Sequence, residues 1–253
     1  MLDLNKIYNM DCVEGMKLLD DECIDLTVTS PPYDNLRTYN GFSWDFEAVA
    51  KELYRVTKQG GVVVWVVGDA TVKGSETGTS FRQALWFKDC GFNLHDTMIY
   101  RKINYVPLTH NRYEQEFEYM FVFSKGKPKT FNPIKIPCKT AGAKTSGRTF
   151  YQTNNQNIPT AGHKNNTVSV CKQKGNVWEL STNAGIKGHP AQFPEQLAND
   201  HILSWSNEGD TVLDCFMGSG TTAKMAKANN RNYIGFELSK EYCDIAEQRL
   251  LTE

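Results

Sequence analysis

Apolar residues in this chain follow two alternating rhythms. Unbroken β-branched and aromatic runs at Ile24–Thr29 (IDLTVT), 62–67 (VVVWVV), 117–123 (FEYMFVF), 211–215 (TVLDC) and 232–236 (NYIGF) have the length of strands buried on both faces. A shorter run at 97–100 adds another. Between the runs, apolar positions return every three or four residues, as on one face of a helix. Asp45 predicts a capped helix from Phe46 to Thr57, with Val49, Leu53 and Val56 inward and Gly60-Gly61 ending it. A second helix is predicted over Ser80–Asp89, stopped by Gly91. Further helices are predicted from Pro194 to about Trp205 (Leu197, Ile202 and Leu203 inward), over Thr221–Asn229 and over Ser239–Leu251. Alternating strands and helices predict an α/β fold on a mostly parallel sheet with right-handed crossovers.

Two breaks in this alternation carry chemistry. The run ending at Thr29 meets Ser30-Pro31-Pro32-Tyr33, where two prolines fix φ and remove two backbone donors, so the strand must stop and turn. Carbonyl acceptors, the Ser30 hydroxyl and the Tyr33 ring then stand together, a set that suits a planar ring bearing an amino group. Far downstream, Asp214-Cys215-Phe216-Met217-Gly218-Ser219-Gly220-Thr221 reads as a strand, a glycine turn and the start of a helix. Such a turn admits close approach of a ligand to backbone and helix N-terminus. About twenty residues later a strand ends in Glu237, where doubly wound folds place an acid on ribose hydroxyls.

Ser30-Pro31-Pro32-Tyr33 followed by Phe216-Met217-Gly218-Ser219-Gly220 resembles the S-adenosylmethionine-dependent DNA amino-methyltransferases. The order, catalytic motif first, is similar to their circularly permuted β group, over nearly the whole chain. The resemblance implies a Rossmann-like methyltransferase sheet, mostly parallel with an antiparallel strand, flanked by helices and carrying a basic recognition insertion. It implies S-adenosyl-L-methionine as cofactor, with Asp214, Phe216, Gly218, Ser219, Gly220 and Thr221 around its methionine and ribose and Glu237 on the ribose hydroxyls. Asp11 in Asn9-Met10-Asp11-Cys12 would accept from the adenine amino group, or simply cap a helix over Val13–Leu19. His189, in His189-Pro190-Ala191-Gln192-Phe193-Pro194, would line the methionine side. Residues 1–125 then form the catalytic half, 126–188 a DNA target-recognition insertion and 189–253 the cofactor half. Tyr39, Trp44 and Gly68-Asp69 are further candidates near the site, the two aromatics read first as packing residues.

The implied chemistry is displacement at a sulfonium methyl, in which the protein positions the nucleophile. The Ser30 hydroxyl and Pro31 carbonyl would accept both amino protons and localise the nitrogen lone pair. Tyr33 would stack on a base swung out of the duplex. No metal is called for. Ser30 favours cytosine N4, because Asp is commoner at that position in adenine-N6 enzymes of the family; adenine N6 is the alternative. A DNA-binding subunit without turnover is an alternative of another class, which the intact motifs oppose.

Charge sharpens the division of the chain. The formal net charge is −1, yet residues 124–190 carry ten Lys and one Arg against Glu179 alone, +10, which leaves −11 elsewhere. A basic stretch rich in Asn, Gln and Thr suits phosphates and base edges. Double-stranded DNA is the implied substrate; a second copy of the chain and a cognate restriction endonuclease are candidate partners. Seven cysteines, odd in number and never spaced C-x-x-C, predict reduced thiols and a cytoplasmic setting. The chain shows neither a membrane-spanning run nor a signal-peptide pattern. Pro137-Cys138 resembles the nucleophile dipeptide of cytosine-C5 enzymes but sits in a Lys-rich context, and Asn132-Pro133 lacks the second proline and aromatic; both are set aside.

Overall fold

The computed structural model describes residues 2–32, 44–105, 111–144, 150–153, 156–159, 167–182 and 193–251. The first half of the chain runs β1 (Lys6–Asn9), α1 (Cys12–Lys17), β2 (Ile24–Thr29), α2 (Phe46–Val56), β3 (Thr57–Val67), β4 (Thr71–Val72), β5 (Ser75–Glu76), α3 (Thr79–Asp89), β6 (Asn93–Lys102) and β7 (Phe117–Ser124). Four short strands follow, β8 (Lys135–Pro137), β9 (Phe150–Thr153), β10 (Gln156–Pro159) and β11 (Cys171–Gln173). Then come β12 (Val177–Leu180), α4 (Glu195–Trp205), β13 (Thr211–Asp214), α5 (Thr221–Ala228), β14 (Asn232–Glu237) and α6 (Lys240–Leu251).

Eight of these strands pair in the order β1-β14-β13-β2-β3-β7-β6-β12. Only β7 runs against its neighbours; every other pair in this sheet is parallel. Side chains of Val63, Trp65, Val67, Phe121, Phe123, Leu213, Ile234 and Phe236 form one buried face with α1, α2 and α3. Alternate residues turn to the other face, where α4, α5 and α6 pack. Gly15 of α1 lies so close to this sheet that a Cβ there would stand 2.3 Å from the Phe236 ring. Because Phe236 is itself fully buried, Gly15→Ala is expected to destabilise the fold by about 1–3 kcal/mol. A fall in the urea midpoint at unchanged m-value would show it.

Several elements differ from the sequence expectation. Helix α2 stops at Val56 and strand β3 starts at once at Thr57, so Gly60-Gly61 lies inside the strand rather than behind the helix. Gly60 has φ +82° and donates to Lys125 O, bending β3 beside the irregular register between Ile24 and Leu26. In α4 Leu197 and Ile202 are buried as expected, but Leu203 is 37 % exposed, and Ala198 and His201 are buried beside them. Strands β1 and β12 were not anticipated: both are short, and β12 lies inside the Lys-rich stretch.

Two compact units emerge, Met1–Asn132 with Asn176–Glu253, and Pro133–Gly175. In the smaller unit β11 pairs antiparallel with β8, and β10 with β9. Pro137-Cys138 closes β8, where Cys138 N donates to Val170 O. Lys135, Lys139, Lys144 and Lys172 of this unit are exposed. All seven cysteines are free. Among the described residues no helix is long and apolar enough to cross a membrane.

Candidate active site

Parallel pairing brings four strand ends to one edge of the sheet. Asn9 of β1 stands opposite Glu237 of β14, Gly235 of β14 opposite Asp214 of β13, and β13 pairs with β2, whose next residues are Ser30-Pro31-Pro32. The glycine turn and the proline motif, far apart in sequence, thus end side by side. Open parallel sheets bind ligands at this carboxyl edge.

Backbone donors orient the acids of the edge. Glu237 Oε2 accepts from Gly218 N at 2.9 Å and Oε1 from Ser239 N at 2.8 Å, which aims the carboxylate across the turn. Burial raises the Glu237 pKa, opposed by these backbone donors. Asp11 Oδ1 accepts from Val13 N (2.8 Å) and Glu14 N (3.1 Å), so Asp11 does cap α1. Gly218 (φ +50°) and Gly220 (φ +82°) hold left-handed turns, and a Cβ on Gly220 would lie 2.7 Å from that of Ala246.

Polar residues of the turn are braced from behind. Arg249 of α6 donates to Ser219 O (2.5 Å), Ser219 Oγ and Thr221 Oγ1, and pairs with Glu195 at 2.7 Å. Lys224 pairs with the same Glu195 oxygen at 3.1 Å. Burial works to raise the Glu195 pKa, but hydrogen bonds and charge from Lys224 and Arg249 outweigh it and hold the carboxyl below its ordinary value. Phe216 packs edge-on against Trp44 (5.0 Å between centroids), and Trp44 lies against Trp65 and Phe46. Trp44 is thus part of an aromatic wall that reaches the turn.

Asp214 is 2 % exposed and faces inward. Its Oδ1 accepts from Thr29 Oγ1 at 2.6 Å and Phe216 N at 3.0 Å, and Thr222 also bonds the carboxylate. Burial raises its pKa from 3.8 to about 6, against these hydrogen bonds, with the Glu237 charge adding to the rise. The folded state therefore holds a proton that the unfolded chain releases between about pH 3.8 and 6. The contribution of Asp214 to stability is fully present below that window and lost as pH rises through it. Asp214→Asn keeps the shape and an acceptor without the charge. Its melting temperature is expected to exceed that of the native protein above pH 6, the gain shrinking towards pH 4 in a calorimetric pH series.

Asp69, at the end of β3, accepts from Ser80 N (2.9 Å), Ser80 Oγ and Thr77 Oγ1, and so serves α3 as a cap from a distance. Its oxygens are engaged by the protein. Tyr33, Tyr39 and His189 lie outside the described residues. Sequence reasoning missed Thr29, Glu195, Thr222 and Arg249. Thr29 could have been suspected from its place before the proline motif; Arg249 carries no local signal.

A mostly parallel sheet with a glycine turn, a carboxylate aimed across that turn and an adjacent proline motif has the features of a nucleoside-cofactor site. Residues 24–248 match the family model described as DNA methylase, and the chain belongs to that family. It is an S-adenosylmethionine-dependent DNA amino-methyltransferase. It is 58 % identical over 242 residues to the orphan methyltransferase M.BamHII of Bacillus amyloliquefaciens, covering 92 % of this chain and 90 % of that one. To the type II methyltransferase M.HinfI of Haemophilus influenzae it is 32 % identical, over 98 % of this chain and 68 % of the relative. The fold is similar to that of the cytosine-N4-specific PvuII DNA methyltransferase, with a TM-score of 0.72 at 22 % identity over 98 % and 86 % of the two chains.

Proposed function

We propose that the protein methylates the N4 amino group of a cytosine everted from double-stranded DNA at a specific site. The observation that carries this reading is the side-by-side ending of β2 in Ser30-Pro31-Pro32 and of β13 in the glycine turn. When bound, S-adenosylmethionine supplies the electrophilic methyl carbon. The cradle suits it: Glu237 is aimed by Gly218 N and Ser239 N, and Asp11 is held at the start of α1 on the same edge of the sheet. In this reading the Ser30 hydroxyl and Pro31 carbonyl accept the amino protons of the base, which concentrates the lone pair on nitrogen. Tyr33 stacks on the ring, and His189 lines the cofactor side. An everted base costs a few kcal/mol of stacking, which contacts made by the basic Pro133–Gly175 unit to phosphates and base edges would offset.

Ser30, rather than an acid, supports cytosine N4 over adenine N6, and so does the cytosine-N4 specificity named for the PvuII enzyme. Type II names among the relatives support a cognate endonuclease, whereas the relative at 58 % identity is named an orphan methyltransferase. Mass spectrometry of nucleosides from duplex DNA treated with enzyme and cofactor tests the base. N4-methylcytosine is expected; N6-methyladenine alone would overturn the cytosine assignment.

A further inference from the structure

We infer that Thr29 is a positioning residue for methyl transfer: its hydroxyl, held by Asp214, locks the strand end bearing Ser30-Pro31-Pro32 to the cofactor turn. The backbone ladder between β13 and β2 pairs Val212 with Leu26 and Leu213 with Thr27, and runs no further. Beyond that point side chains take over. One oxygen, Asp214 Oδ1, accepts both from Thr29 Oγ1 (2.6 Å) and from Phe216 N (3.0 Å), so a single atom joins the last residue of β2 to a backbone donor in the turn. Thr222 Oγ1 of α5 stands at the same junction, 3.0 Å from Val28 O and within reach of the Asp214 carboxylate, so its one proton serves either acceptor. The Cys215 thiol also lies 3.8 Å from Thr29 Oγ1.

The bond is made by the residue immediately before Ser30 and so fixes the backbone that leads into the proline motif. A fully buried carboxylate is an expensive way to join two strands that apolar side chains could pack together. What the hydrogen bond adds over packing is a fixed distance and direction. In-line transfer is sensitive to that placement: an error of about 1 Å can cost about 100-fold in rate.

The inference rests on the methyltransferase activity of the family and holds whichever base is taken. Its test follows transfer of labelled methyl into duplex DNA, which does not depend on the base, alongside calorimetric titration of the cofactor and hydrogen exchange of the cofactor-free protein. Thr29→Val keeps the shape and removes the hydroxyl. We expect its kcat to fall about 10-fold or more, with cofactor Kd within about threefold and faster exchange at the Ser30 and Phe216 amides. Thr29→Ser should restore kcat to within about threefold of the native enzyme. Thr29→Cys, a weaker donor, should fall between them, which preserves the comparison if the valine variant does not fold. Equal kcat in the serine and cysteine variants, unchanged kcat in a folded valine variant, or a loss confined to cofactor Kd would overturn it. Detection of N6-methyladenine would sink the cytosine reading and leave the lock standing.

Discussion

Replacing Glu237 with alanine is expected to weaken S-adenosylmethionine binding about 10- to 100-fold and to leave kcat at saturating cofactor within about threefold. Hydrogen bonds to a charged acceptor contribute about 1.5–3 kcal/mol, and each 1.4 kcal/mol is about tenfold in Kd. Glu237 is suited to that role because Gly218 N and Ser239 N each bind one of its oxygens and fix its orientation before any ligand arrives. In the proposed site, ribose hydroxyls would donate to its remaining lone pairs. The alanine variant also leaves the Gly218 and Ser239 amides without their acceptor, so part of its loss comes from a loosened turn. Glu237→Gln keeps one acceptor oxygen and should show a smaller defect. Titration calorimetry and steady-state kinetics separate the two effects; native affinity in the alanine variant would remove Glu237 from the cofactor site.

The opposite split is expected at the proline motif. Ser30→Ala should lower kcat about 100- to 1000-fold, the scale on which one positioned hydrogen-bonding group acts in a transition state, while cofactor Kd stays within about threefold. The physical reason is that the hydroxyl meets the amino group only as its lone pair is drawn out of conjugation. Tyr33→Ala should likewise cost turnover more than cofactor binding, since stacking holds the base and not the cofactor. Single-turnover transfer of labelled methyl to a short duplex reads the chemical step directly. Equal losses of turnover and cofactor affinity in the Ser30, Tyr33 and Glu237 variants would count against the division of labour between the two motifs.

Much of this molecule was legible in one dimension because its signals are local. Proline pairs stop strands, glycines admit left-handed turns and Asp caps helices using only their own dihedrals and nearest donors. Ser30-Pro31-Pro32, the glycine turn, Glu237, the Asp45 cap and the Asp11 cap could all be located that way. The start of β3 could not, because Gly60-Gly61 resembles a helix stop, whereas here it lies in a bulged stretch of β3, with Ile24 opposite Thr57 and Leu26 already opposite Val62. Leu203 shows the same limit: helical spacing defines a stripe, and the neighbours that cover it define its buried edge.

Residue order alone thus carried the class of fold, the two motifs and the chemistry they suit. Three-dimensional packing alone supplied the direction in which Asp214 faces, the Thr29–Asp214 bond across 185 positions, and the clamp of Glu195 and Arg249 behind the turn. The reason is physical: a turn is determined by a few adjacent torsions, whereas the partner of a buried carboxylate is chosen by which strands lie next to each other once the whole sheet has formed.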